Sequence, residues 1–134
     1  MSTVSYTMLT HQDSLNYTGD KIRADAYYGN TDGLHTVSVN FSDFVGRLYI
    51  EGTLVSDPQD NDWFPIYLTS GSTYKQYPQL PGSPTGIVGD TGADAFTFRL
   101  NTMYLRARVD RTYLNAQAYD QAQHGRIDKI LLNV

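Results

Sequence analysis

The side chains that most often carry catalysis are sparse in this sequence and poorly spaced for it. Three histidines occur. His11 stands near Asp13 in a stretch that reads as a turn, His35 begins a strand, and His124 precedes Gly125 close to Asp120 and Asp128. None follows H-x-x-x-H or H-E-x-x-H, the spacings that put two imidazoles on one helix face for a metal. A Ser–His–Asp site assembles only in space, but the G-x-S-x-G elbow that marks one group of such sites is missing. The acids are thirteen aspartates and one glutamate, Glu51. A glycosidase-type pair needs two carboxyls in a cleft, one with a raised pKa. Here the aspartates fall mostly in turns, where they cap backbone N–H groups, and Glu51 falls on a polar strand face beside Arg47 and Tyr49. The best cluster of oxygen ligands is Asp57, Asp60, Asn61 and Asp62, which makes Asp57, Asp60 and Asp62 a weak calcium candidate. That stretch lacks the Gly and Glu of an EF-hand loop and is equally ordinary turn chemistry. Gly86-Ile87-Val88-Gly89-Asp90-Thr91-Gly92 is glycine-rich but has no Lys and no helical pattern after it, so it makes no P-loop. The expectation is a chain with no catalytic residues and no cofactor.

The elements that would position any site are strands. Val4, Tyr6 and Met8 alternate with polar residues, as do Ile22, Ala24, Ala26 and Tyr28, which predict one strand over 21–28. The turn residues Gly29-Asn30-Thr31-Asp32-Gly33 follow, and then a run from Leu34 to Phe41 with Val37, Val39 and Phe41 on one face. The two runs read as a hairpin. Leu48, Ile50 and Leu54 are expected to face the core opposite Arg47, Tyr49 and Glu51, and Trp63 to Leu68 forms a short strand in which Pro65 marks an edge or end. Trp63 stands with Phe64 and Ile66 as a core anchor. Residues 94–100, 103–109 and 125–134 alternate again, with Leu105, Ala107 and Val109 inward and Tyr104, Arg106 and Arg108 outward. Residues 111–123 have modest helical potential and read equally as a loop or a single helical turn. Residues 70–94, with Pro78, Pro81, Pro84 and several glycines, read as a long interaction-bearing loop. The fold class is therefore all-β: residues 1–134 form a single antiparallel β-sandwich or jelly-roll-like domain of about seven or eight strands.

Composition agrees. The chain has 134 residues, ten Lys+Arg against fourteen Asp+Glu, no cysteine and eleven tyrosines. Absent cysteine excludes disulfides, thiolate nucleophiles and Cys-ligated metals. An acidic balance argues against coating nucleic acid. No apolar run is long enough to span a membrane as a helix, and the first residues lack the pattern of a secretory signal. What stands out is the pairing of tyrosine with arginine. Tyr27, Tyr49, Tyr67, Tyr74, Tyr77 and Tyr104 lie in loops or alternate with polar residues, and Arg47, Arg99, Arg106 and Arg108 fall on strands. Both residue types are enriched where proteins meet. Tyr49, Tyr74, Tyr77, Tyr104, Arg47, Arg106 and Arg108 are the candidate interaction residues.

Several motifs point to a family. They are D-K-I-R-A-x-x-Y-Y-G (Asp20 to Gly29), D-G-x-H-T (Asp32 to Thr36) and F-x-G-R-x-Y-I-E-G-T-L (Phe44 to Leu54). N-D-W-F-P-I (Asn61 to Ile66), Y-L-R-A-R-V (Tyr104 to Val109) and the closing G-R-I-D-K-I-L-L-N continue the series. On these the chain resembles small virion structural proteins of tailed bacteriophages, especially marine and cyanobacterial phages. The resemblance covers most of the chain and skips the Pro/Gly stretch. It implies a non-enzymatic β-sandwich particle component, assembled into the virion in the host cytoplasm. The expected role is decoration of the capsid shell, with capsid or other virion proteins as partners and homo-oligomers on the particle. A tail, neck or baseplate component is the alternative within that class. A carbohydrate-binding module stacking glycan on Trp63 and tyrosines is the alternative outside it.

Overall fold

Apolar side chains at every second position leave a chain that can hide them only as extended strands with one face turned inward. The computed structural model describes residues 5–10, 14–29, 33–68, 71–77, 90–112, 118–120 and 124–133. Its strands are β1 (Ser5–Thr10), β2 (Tyr17–Thr18), β3 (Ile22–Arg23), β4 (Leu34–Phe44) and β5 (Gly46–Thr53), followed by β6 (Phe64–Pro65), β7 (Lys75–Tyr77), β8 (Asp90–Arg99), β9 (Tyr104–Asp110) and β10 (Arg126–Asn133). Two antiparallel sheets result. One runs β1-β10-β4-β8; the other runs β2-β9-β5-β6, with β3 also on β9 and β7 also on β5. Val37, Val39, Phe41, Ile130 and Leu132 of the first sheet pack with Leu48, Ile50, Leu105, Ala107 and Val109 of the second in one buried cluster. The architecture is all-β and sandwich-like.

Among the described residues the strand register shifts at three places, and at each the alternation breaks. In β10 the register shifts between Ile127 and Lys129, so Ile127, Ile130 and Leu132 all point inward despite their uneven spacing. The shift between Thr7 and Leu9 similarly buries both Met8 and Leu9. The third lies between Phe41 and Phe44, where Asp43 takes φ 50°. Gly125 (φ 64°) passes so close to this corner that a Cβ there would be driven into the Asp43 carbonyl.

Arg111, directly after β9, is 1% exposed. Its guanidinium donates to Val45 O at 2.7 Å, Ser14 O at 2.9 Å and His124 O at 3.3 Å, and its backbone N–H donates to Asn16 Oδ1 at 2.7 Å. Phe44 and Tyr119 lie against it, with ring centroids 5.1 and 5.3 Å from Cζ. Tyr17 is buried nearby, and its hydroxyl has no hydrogen-bond partner among the described residues. Burial pushes its pKa up to about 12; Arg111 works against this and Tyr119 adds to it.

Several expectations are corrected. The strand over 21–28 shortens to β3, because Ala24 and Ala26 donate to the carbonyls of Met103 and Thr102 and the chain then coils into a 3₁₀ turn, Asp25–Tyr28. The 21–41 hairpin does not form: β3 pairs with β9, whereas β4 pairs with β10 and β8. Leu54 is 66% exposed, since β5 has ended at Thr53. Trp63 to Leu68 contributes only Phe64–Pro65 as strand, with Ile66 buried and Phe64 exposed. The 70–94 segment is not loop throughout. Lys75–Tyr77 pairs with β5, and Asp90–Asp94 belongs to β8; residues 78–89 lie outside the described residues.

Two measurements test this packing. Gly125→Ala should cost at least about 2 kcal/mol in urea unfolding, because the backbone conformation and the Asp43 carbonyl both resist a Cβ. Tyr17 holds its proton more tightly when folded, so it adds stability in full below pH 10 that is lost as pH rises through about 12. Tyr17→Phe should flatten that alkaline loss while changing neutral-pH stability by less than about 1 kcal/mol.

Candidate functional site

The outer face of the second sheet collects most of the tyrosine and arginine singled out by composition. Antiparallel pairing of β5 with β9 sets Arg47 opposite Asp110, Tyr49 opposite Arg108, Glu51 opposite Arg106 and Thr53 opposite Tyr104. Residues directly opposed share a face. Leu48, Ile50, Leu105, Ala107 and Val109 therefore point inward, and this set points outward. Glu51 is the centre of the face. Its Oε1 accepts from Arg106 Nε at 2.8 Å and its Oε2 from Arg108 Nε at 3.1 Å. Its side chain is only 9% exposed, between arginine side chains that are 17% and 32% exposed.

Each arginine is also stacked. Arg106 Cζ lies 4.2 Å from the Trp63 ring centroid, Arg108 Cζ 4.1 Å from Tyr49 and Arg47 Cζ 4.7 Å from Tyr74. Tyr49 and Tyr74 are 5.5 Å apart, centroid to centroid, and Arg47 Nε donates to Gln76 Oε1 at 3.0 Å. A continuous chain of contacts thus runs Trp63–Arg106–Glu51–Arg108–Tyr49–Tyr74–Arg47, from the residue before β6 across β9 and β5 to the residue before β7. Beside it, β3 sets Arg23 opposite Tyr104. Arg23 stacks on Tyr27 at 4.6 Å, Lys21 Nζ lies 4.8 Å from the Tyr104 ring, and Tyr27 and Tyr104 are 5.7 Å apart. Cation–π contacts contribute about 0.5–1 kcal/mol at exposed sites and more when desolvated. Their larger effect here is to hold long side chains in place.

Asp110 closes one end of the face. Burial works to raise its pKa, but hydrogen bonds from the Thr112 N–H and hydroxyl, at 2.9 and 2.8 Å, outweigh it together with Arg108 and Arg47. The carboxyl is held below its ordinary value.

Of the expected interaction residues, Arg47, Tyr49, Tyr74, Arg106 and Arg108 come together. Tyr104 is on the same face but is covered by Lys21 and Tyr27, leaving it 9% exposed. Tyr77 is corrected: it is fully buried, with its ring 4.5 Å from Phe41 and 5.6 Å from Phe44, and its hydroxyl donates to Asp94 at 2.7 Å. Trp63 is a half-buried partner of Arg106 on the outer face rather than a core anchor. Sequence reasoning missed Glu51 as the hub. The available signal was the single glutamate among thirteen aspartates, since the extra methylene lets one carboxylate reach two neighbouring arginines.

The calcium candidate is not assembled. Asp62 turns back to accept the Gln59 N–H at 2.7 Å within the Asp60–Asp62 turn, and among the described residues no group of three or more His, Asp or Glu is placed to hold a metal ion. His35 is buried near the start of β4, stacked 5.4 Å from Phe98. His124 bonds through its carbonyl to Val45, just past the other end of β4, and its Nδ1 accepts the Asp120 N–H at 3.0 Å. The two histidines thus sit near opposite ends of the eleven-residue β4. His11 lies outside the described residues. A cavity of about 190 Å³ between β1 and the segment after β2 is lined by Thr7, Thr10, Thr18 and Asp20 among others, and offers one carboxylate without a base. No family model, no curated protein and no solved structure matches the chain.

Removing the hub is the direct test. Glu51→Gln leaves two guanidinium groups half-buried without their counter-charge and should cost about 3 kcal/mol, measured by chemical denaturation. A double-mutant cycle of Glu51→Gln with Arg106→Gln should give a coupling above about 1 kcal/mol. Asp110, with its lowered pKa, contributes stability in full above about pH 4 and loses it as pH falls further; Asp110→Asn should blunt acid unfolding.

Proposed function

We propose that the chain is a non-enzymatic structural component of a tailed-phage virion that decorates the outer capsid shell, binding neighbouring shell proteins through the outer face of its second sheet. The observation that carries this reading is the immobilised Arg–aromatic face centred on Glu51. Arginine and aromatic residues dominate the energetics of protein contacts, and side chains already fixed in place lose little entropy on binding. The separation of His35 from His124 supports a contact role over a hydrolytic one.

The fold is read here as a jelly roll. With β2 and β3 sharing one position on β9, and β6 and β7 sharing one on β5, the ten segments reduce to eight. Their orders become 1-8-3-6 and 2-7-4-5, which fits two interlocked Greek keys, an architecture common to capsid and lectin domains. The virion assignment itself rests on the motif resemblance from Asp20 to Asn133. A second reading, glycan binding on a tail fibre, draws on Trp63 and on Tyr67, which is 65% exposed beside it in sequence.

A virion reconstruction that locates this chain's density is the test. Density on the capsid shell with the Arg47–Arg106 face turned to a neighbour is expected. Density on the tail would move the role to the neck or baseplate, and absence from the particle would overturn the virion reading. A glycan array should give no hits; saturable binding lost in Trp63→Ala would favour the second reading.

A further inference from the structure

The geometry points to a carboxylate-binding site on the outer face of the second sheet, and we propose that its occupant is an acidic segment of a different protein, held by the Nη groups of Arg106 and Arg108. This rests on the reading of that face as a contact surface and specifies the chemistry of its partner.

Both arginines approach Glu51 through Nε. A guanidinium has a second edge, formed by its two Nη groups, which suits a carboxylate bidentately. Arg106 uses none of these Nη groups within the described structure, and Arg108 makes one loose contact, Nη1 to Asp110 Oδ2 at 4.0 Å. Glu51 thus orients two forks without occupying them, while Trp63 and Tyr49 fix the guanidinium planes from the side.

Charge distribution selects an acidic protein over other anions. The chain has ten basic and fourteen acidic residues. Lys21, Arg23, Arg47, Arg106 and Arg108 are on or beside this face, where Glu51 and Asp110 are the carboxylates that meet Arg106 and Arg108. The face therefore carries an excess of positive charge on a chain whose net charge is -4. A long polyanion such as nucleic acid would meet the net negative charge of the chain as it extended past the face. A local cluster of Asp or Glu on a folded neighbour would not. A second copy is the weaker occupant. Asp43, Asp62, Asp94 and Asp128 already accept hydrogen bonds from Thr91, Gln59, Tyr77 and Ser42, which leaves Asp57 and Asp60 as the exposed neighbouring carboxylates that self-association would have to use.

The single tryptophan reports on the site, because Trp63 lies under Arg106. The full chain is titrated with a ten-residue oligo-aspartate peptide at low salt while Trp63 emission is followed. A saturable change is expected, with affinity reduced at least tenfold by 0.3 M NaCl and none with an oligo-glutamine peptide. Arg108→Gln should weaken binding at least tenfold. Arg108→Lys, which keeps the charge beside Glu51 and so protects the fold, should weaken it several-fold because the planar fork is gone. No emission change, or equal affinity in both variants and the parent, would overturn the proposal. So would tenfold tighter binding of single-stranded DNA or heparin of equal charge, and so would salt-sensitive self-association in sedimentation that Arg108→Gln abolishes. None of these outcomes depends on where the chain lies in a virion, so this site and the decoration role can fail separately.

Discussion

The Arg111 guanidinium, almost wholly removed from water, donates to backbone carbonyls of the β1–β2 connection, the β4–β5 corner and the approach to β10. Burying a charge in this way is expensive unless its donors are matched, so the three segments must all be in place at once. Arg111 follows β9 directly, which ties the end of that strand to the start of β5. The register of β5 against β9 then follows. That register sets Glu51 opposite Arg106 and Tyr49 opposite Arg108, so the outer face inherits its alignment from a cation on the inside.

The two arginine systems do opposite things with the same group. Inside, carbonyl dipoles surround one guanidinium and make it a fixed part of the scaffold. Outside, a shared carboxylate and flanking rings hold a row of them at partial exposure. Arginine serves both because its charge persists at every accessible pH and its planar group stacks on aromatic faces. Lysine would keep the charge but lose the stacking plane and the second donor edge.

The inward sides of β4, β5 and β9 were legible in the sequence because period-two patterning reports directly on burial, and Val37, Leu48 and Leu105 obey it. Positions governed by backbone events were not. The bulge in β10 that brings Ile127 and Ile130 to one face has no side-chain signature, and nothing local shows that Ala24 and Ala26 bond to the β9 approach instead of continuing a strand. Tyr77 looked exposed because its neighbours are Gln76 and Pro78; its burial depends on a three-residue strand finding β5, a non-local pairing. The Tyr/Arg composition of the outer face was visible, but Glu51 as its hub appears only once β5 and β9 are in register. Trp63 carries no local sign of its outward place for the same reason, since its partner is forty-three positions away.

The pairing of β1 with β10 has a mechanical side. Ser5 lies opposite Asn133 and Thr10 opposite Lys129, so the first and last described residues are neighbours. Tension entering at Ser5 and leaving at Asn133 would peel β1 from β10 one hydrogen bond at a time, the weak direction of an antiparallel pair. Load borne across the face of the second sheet would instead be shared by all the strand contacts behind it. A domain tethered by its ends would yield readily, whereas one clamped through its Arg–aromatic face would resist.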